Sequence, residues 1–197
     1  MIRAIFFDFY SVWVPDVFSD YLAIAQQSGP AVAGELQSIV DQYFRGEITP
    51  EKVADSFRYK LSRPDIDSNV FTLRPDSISP AVTNFMRNLH GHFVKLGVLA
   101  NLGPQEYAIL SEYNKQNQLF EVITGPLPLH LQVPLLSQDV FAQALQAIGE
   151  PPRSTMVVSG NAAYLQFAQS LGLGALSFAG LPNLQQTLEQ ILSSEVP

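Results

Sequence analysis

Asp8 lies near the end of a short, apolar, β-rich run, residues 2–9, and a buried strand there would deliver its carboxylate at the strand's C-terminal end. A carboxylate so placed can face a ligand; the plainer use is to cap the turn that follows. Two further runs end in polar residues: 96–100 leads into Asn101, and 155–159 closes on Ser159 before Gly160 and Asn161. In an open parallel sheet, ligands bind beyond the carboxyl ends of the strands, so Asp8, Tyr10, Asn101, Ser159 and Asn161 form the candidate site. Asp8 is the only strand-end carboxylate in that set.

The elements that must position these residues alternate. Strand-like runs at 2–9, 96–100, 121–124, 155–159 and 175–178 are separated by helical periods at 80–89, 105–114, 138–148 and 162–171, with a terminal helix over 182–192. That order implies an α/β fold, a Rossmann-like parallel sheet with helices on both faces. Residues 14–79 interrupt it. Amphipathic helices are expected at 16–27, 31–44 and 50–61, the last opened by Thr49 as N-cap and Pro50 at the first helical position, with 63–79 as the return linker. The expected division is therefore a core of residues 1–13 and 80–197, with a helical cap at 14–79.

Charge narrows the function. The 197 residues hold 11 Lys and Arg against 18 Asp and Glu, a net charge of −7, which opposes generic binding to nucleic acid or to anionic membrane. Cysteine is absent, so there are no disulfides, thiolate nucleophiles or Cys-ligated zinc. The lysines are Lys52, Lys60, Lys95 and Lys115, and the only cation after Lys115 is Arg153. The apolar N-terminus is broken by Asp8 and lacks a small-residue cleavage site, and the uncharged stretch after Arg153 is broken by polar residues well short of the ~20 needed to span a bilayer. A cytoplasmic location is expected.

Phe6-Phe7-Asp8-Phe9-Tyr10-Ser11-Val12 resembles the first motif of the haloacid dehalogenase-like (HAD) hydrolases, and a helical cap inserted directly after that motif is similar to their subfamily I. Gly46-Glu47-Ile48-Thr49-Pro50-Glu51 looks like their turn between cap helices. The resemblance covers nearly the whole chain and rests on the order and spacing of the motifs. It implies that Asp8 is the nucleophile position, from which a covalent ester or acyl phosphate would form and be hydrolysed.

The resemblance also shows what has been replaced. Tyr10 stands where the phosphatase branch has its second Asp, and Asp-x-Tyr is similar to the haloacid dehalogenases, which need no metal. The second motif reads Val98-Leu99-Ala100-Asn101-Leu102-Gly103-Pro104-Gln105, with Ala100 in place of a hydroxyl residue. In Leu131-Gln132-Val133-Pro134, Val133 occupies the place of the third-motif Lys. The fourth motif reads Val157-Val158-Ser159-Gly160-Asn161-Ala162-Ala163-Tyr164: Ser159 and Asn161 match the dehalogenase form, and Tyr164 falls at or beside the place of an Asp implied to assist water attack. The resemblance without its charged partners implies a catalytically impaired protein that binds a small molecule or a protein partner, a second copy of the chain included. The alternative is a metal-independent hydrolase in which Asp8 attacks a neutral or weakly charged substrate held by Tyr10, Asn101, Ser159 and Asn161. No cofactor is expected, and Mg²⁺ would be held weakly at best by one carboxylate. The same lack of partners keeps His90, His92 and His130 from reading as a metal site.

Overall fold

A computed structural model describes residues 1–74, 77–90, 94–99, 102–124 and 138–194. Its centre is a five-stranded, all-parallel sheet built from β1 (Ala4–Phe7), β2 (Lys95–Val98), β3 (Val122–Ile123), β4 (Thr155–Ser159) and β5 (Gly174–Ser177), in the order β3-β2-β1-β4-β5. β1 is central, paired through Ile5 with Leu96 on one side and Met156 on the other. All four of its residues are buried. Period-two alternation then divides them: Ile5 and Phe7 enter one apolar cluster with Met156 and Val158, while Ala4 and Phe6 enter the opposite one with Val157.

Helices cover both faces, as a parallel sheet requires. On the Ile5 face, α5 (Pro80–His90) contributes Val82, Phe85, Met86 and Leu89, α6 (Pro104–Asn117) contributes Leu110, and α9 (Leu181–Ser194) contributes Leu184 and Leu188. On the Phe6 face, α7 (Gln138–Ile148) and α8 (Ala162–Ser170) supply Phe141, Ile148, Tyr164 and Ala168. Gly97 pairs in register with Phe6, and a Cβ on Gly97 would fall 2.4 Å from that ring. The glycine therefore leaves room for the Phe6 ring.

Between β1 and β2 run a short turn, α1 (Phe9–Val12), and then α2 (Val17–Ser28), α3 (Pro30–Phe44) and α4 (Pro50–Leu61), which pack around Phe18, Leu36, Val40, Tyr43, Val53 and Phe57. Thr49 caps α4 by accepting the Lys52 N–H at 3.4 Å, and Pro50 opens the helix. Residues 63–79 hold more structure than a plain linker. Ser68–Phe71 forms a 3-10 turn, and Ile66 and Phe71 are buried in the same helical core, so apolar anchoring prevails over the polar, proline-bearing composition of the segment. Among the described residues no helix is long and apolar enough to cross a membrane.

Candidate functional site

The strand order brings the site together. From central β1 the chain moves out to β2 and β3, then returns to the other side of β1 as β4, and the crevice beyond the carboxyl ends of β1 and β4 is the switch point of such a sheet. Asp8 leaves β1 there and Ser159 ends β4, parallel and adjacent. The Asp8 N–H donates to the Val158 carbonyl at 2.9 Å, and the Ser159 hydroxyl donates to Asp8 Oδ2 at 2.6 Å. Ser159 Oγ also accepts the Asn161 N–H at 3.0 Å.

Asp8 occupies the N-cap position of α1 without a side-chain cap bond of normal geometry, and one of its carboxylate oxygens accepts from Ser159 on the neighbouring strand. Burial raises the Asp8 carboxyl to about 7; the Ser159 hydroxyl and the Tyr10 backbone N–H offset part of that rise, and the negative charge of Asp16 adds to it. Among the described residues no cation contributes. Lys60 pairs with Glu35, Lys95 with Glu150 at 2.9 Å and Lys115 with Glu112 at 3.2 Å. Arg153 sits in the turn before β4, at the opposite end of the strand from Ser159.

Tyr10 packs edge-on against Phe9, Phe18 and Phe44, with ring centroids 5.3, 5.9 and 5.8 Å away. It thus joins the sheet core to the helical insertion. Trp13 does not accompany it: that indole lies over Tyr113 and Phe120, on the sheet side. Asn161 caps α8, its Oδ1 accepting the N–H groups of Ala163 and Tyr164 at 3.0 and 3.2 Å. Tyr164 is buried against Phe141 and donates its hydroxyl to the Leu99 carbonyl at 3.0 Å, pinning the chain as it leaves β2. Asn101, Ala100, Val133, His92 and His130 lie outside the described residues. His90 faces Glu121 at 3.4 Å.

Two residues of the site carried no expectation. Ser11 has φ 80°, a region that non-glycine residues rarely occupy, and is held by donating its N–H to Val14 O at 2.8 Å and accepting the Gly160 N–H on Oγ at 2.9 Å. A Cβ on Gly160 would collide with Ser11, so these two residues fix the approach of the β1 and β4 loops. Glu106, 1% exposed, binds the Tyr43 hydroxyl across the junction between α6 and α3. Its sequence signal was legible: Gly103-Pro104-Gln105-Glu106 places an acid at the third position of a proline-opened helix.

No protein-family model matches the sequence. Solved structures do match. A protein described as a predicted HAD-like family hydrolase from Porphyromonas gingivalis aligns over 95% of this chain and 98% of its own, with TM-score 0.61 at 17% identity. The fold is that of the HAD-like hydrolases. L-2-haloacid dehalogenase from Xanthobacter autotrophicus aligns over 100% of this chain and 84% of its own (TM-score 0.55, 18% identity). A HAD-family enzyme from Bacteroides thetaiotaomicron, solved with magnesium and inorganic phosphate, aligns over 92% and 96% (TM-score 0.55, 16% identity).

The magnesium of that HAD enzyme sets a test for the present site. Mg²⁺ takes oxygen ligands in octahedral array, usually with carboxylates among them. Here the β1 and β4 ends offer Asp8, with one oxygen committed to Ser159, and an asparagine whose carbonyl oxygen caps a helix. Among the described residues no three His, Asp or Glu side chains converge as a metal site. The donor set of the described residues at these two strand ends does not fit Mg²⁺.

Proposed function

We propose that this HAD-fold protein is impaired in the hydrolytic chemistry of its fold and uses the strand-end crevice to bind a small molecule or a protein partner in the cytoplasm. The observation that carries this reading is the environment of Asp8. Its carboxyl is buried beside a hydroxyl and an acidic neighbour, Asp16, so it holds a proton up to about pH 7 and, once ionised, repels an anion. Phosphoryl transfer depends on positive charge around the transferring group. The sequence supports the same conclusion, since no lysine follows Lys115.

The test is turnover by the purified protein of p-nitrophenyl phosphate and acetyl phosphate with Mg²⁺, and of 2-chloropropionate without it, across pH 5 to 9. We expect no rate above buffer. Turnover that disappears in Asp8→Asn would overturn the reading. The Ser159–Asp8 bond favours one competitor, because it anchors a carboxylate that could attack carbon of a neutral substrate. Its signature would be a mass increment on Asp8 that forms above pH 7.

A further inference from the structure

A cavity of about 250 Å³ lies between the two connections that join the sheet to the helical insertion: residues 14–18, which lead from the turn after β1 into α2, and residues 69–74, which lead back toward α5. Val14, Phe18, Phe71 and Leu73, all buried, form its apolar floor, with Tyr10 beside them. Asn69, Val70 and Ser77 are exposed and form its mouth. Asp8 is not part of the wall, so the cavity is separate from the strand-end crevice.

The mouth is built around one cation. It continues into an outer hollow that shares Asn69, Val70, Thr72 and Ser77 with the cavity and adds Arg74. Arg74 and Ser77 are clamped together: the Ser77 N–H donates to the Arg74 carbonyl at 3.0 Å, and Ser77 Oγ accepts the Arg74 N–H at 3.3 Å. The guanidinium donates one N–H to Asn69 Oδ1, and Asn69 is held in turn by Asp67, whose Oδ1 accepts its backbone and amide N–H groups at 3.0 and 2.9 Å. Among the described residues, the other guanidinium N–H groups and the Ser77 hydroxyl proton have no partner, and no acid forms an ion pair with Arg74. The inner end has the opposite character. Burial first, and then the neighbouring acids Glu106, Asp16 and Asp8, push the Tyr10 phenol up, so the acids gather there while the cation stands at the mouth.

We infer that this cavity binds a small apolar carboxylic acid, its hydrocarbon body between Phe18, Phe71 and Leu73 and its carboxylate on the Arg74 guanidinium and the Ser77 hydroxyl. A carboxylate brings acceptors only, which matches a mouth of unused donors, and a guanidinium fork can hold it through two parallel hydrogen bonds. The acids at the inner end turn the anionic head outward and leave the apolar floor to the body. The net charge of −7 works against anions generally, which confines an acid to a mouth with its own cation. A cavity of this volume holds one ring or a short chain. The proposal stands whether or not Asp8 is catalytic.

The experiment compares 3-phenylpropionate, its neutral amide 3-phenylpropanamide and phenethylamine by calorimetry and by backbone amide chemical shifts of the full chain at pH 7. The expected result is saturable binding of the acid at least about fivefold tighter than the amide, with shifts centred on Val14, Phe71, Thr72 and Arg74. Arg74→Gln should weaken the acid at least about threefold and leave the amide unchanged, a modest factor because water screens a charge at the rim. Equal binding of acid and amide, preference for the amine, shifts centred on Asp8 and Ser159 instead, or no saturable binding of the acid overturns the proposal. The three-probe comparison on the unaltered protein decides the matter even where Arg74→Gln fails to fold.

Discussion

Replacing Asp8 by Asn tests the electrostatic account directly, because the substitution keeps the shape and an acceptor for the Ser159 hydroxyl while removing the titration. The folded chain holds the Asp8 proton to about pH 7, whereas the ordinary carboxyl loses it near 3.8. Between those values the folded state binds more protons than the unfolded one, so the stability contributed by Asp8 is full below pH 3.8, falls as pH rises, and is gone above about 7. Each unit is worth about 1.4 kcal/mol, and the whole rise amounts to about 4 kcal/mol. Asp8 as a whole residue is half-buried, and relaxation of its surroundings reduces the observable share to about 1–3 kcal/mol. The assay is urea unfolding of both proteins at pH 5 and pH 8, with equal m-values as the check on two-state behaviour. We expect the Asn variant to be more stable than the native protein at pH 8 and to lose most of that advantage at pH 5. If the variant is instead less stable at pH 8, a cation must hold Asp8 ionised. The reasoning about Asp8, and with it the proposed impairment, then fails.

Two further changes probe what positions the site. Gly97→Ala drives a methyl to within 2.4 Å of the fully buried Phe6 ring, and we expect a loss of about 2–3 kcal/mol, read as a lower urea midpoint with unchanged m. Tyr164→Phe leaves the buried Leu99 carbonyl without its hydroxyl donor; the expected cost is about 1–2 kcal/mol, with faster hydrogen exchange at the Leu99 amide, which donates to Phe7 O.

Much of this arrangement was legible in the residues. The short apolar, β-rich run through Phe7 and the polar stop at Asp8 located β1, and the Thr49-Pro50 pair marked the start of α4. Parallel pairing then places Asp8 beside Ser159, since strands that both end in the crevice and lie adjacent must bring their last residues together. The bond itself joins residues 151 apart in sequence, and no local pattern encodes it. Nor does the pattern say which aromatic faces which neighbour. Tyr10 and Trp13 are three apart, yet the left-handed turn at Ser11 sends one toward Phe18 and Phe44 and the other toward Phe120. Phe71 was concealed by its polar surroundings, because a single anchoring ring has no periodicity to reveal it.

Position and charge are separable in this fold. The position of Asp8 follows from the switch point of the sheet, which depends on apolar packing of β1 between β2 and β4 and would be the same for any side chain at residue 8. Its reactivity depends on what surrounds the carboxylate, and there the described neighbours are a hydroxyl, aromatic rings and a second acid. A nucleophilic carboxylate must be ionised when its substrate arrives, and desolvation without a compensating cation opposes that at neutral pH. The packing that places Asp8 in the crevice therefore also raises its pKa. A HAD-like site escapes that conflict only where a cation sits against the carboxylate.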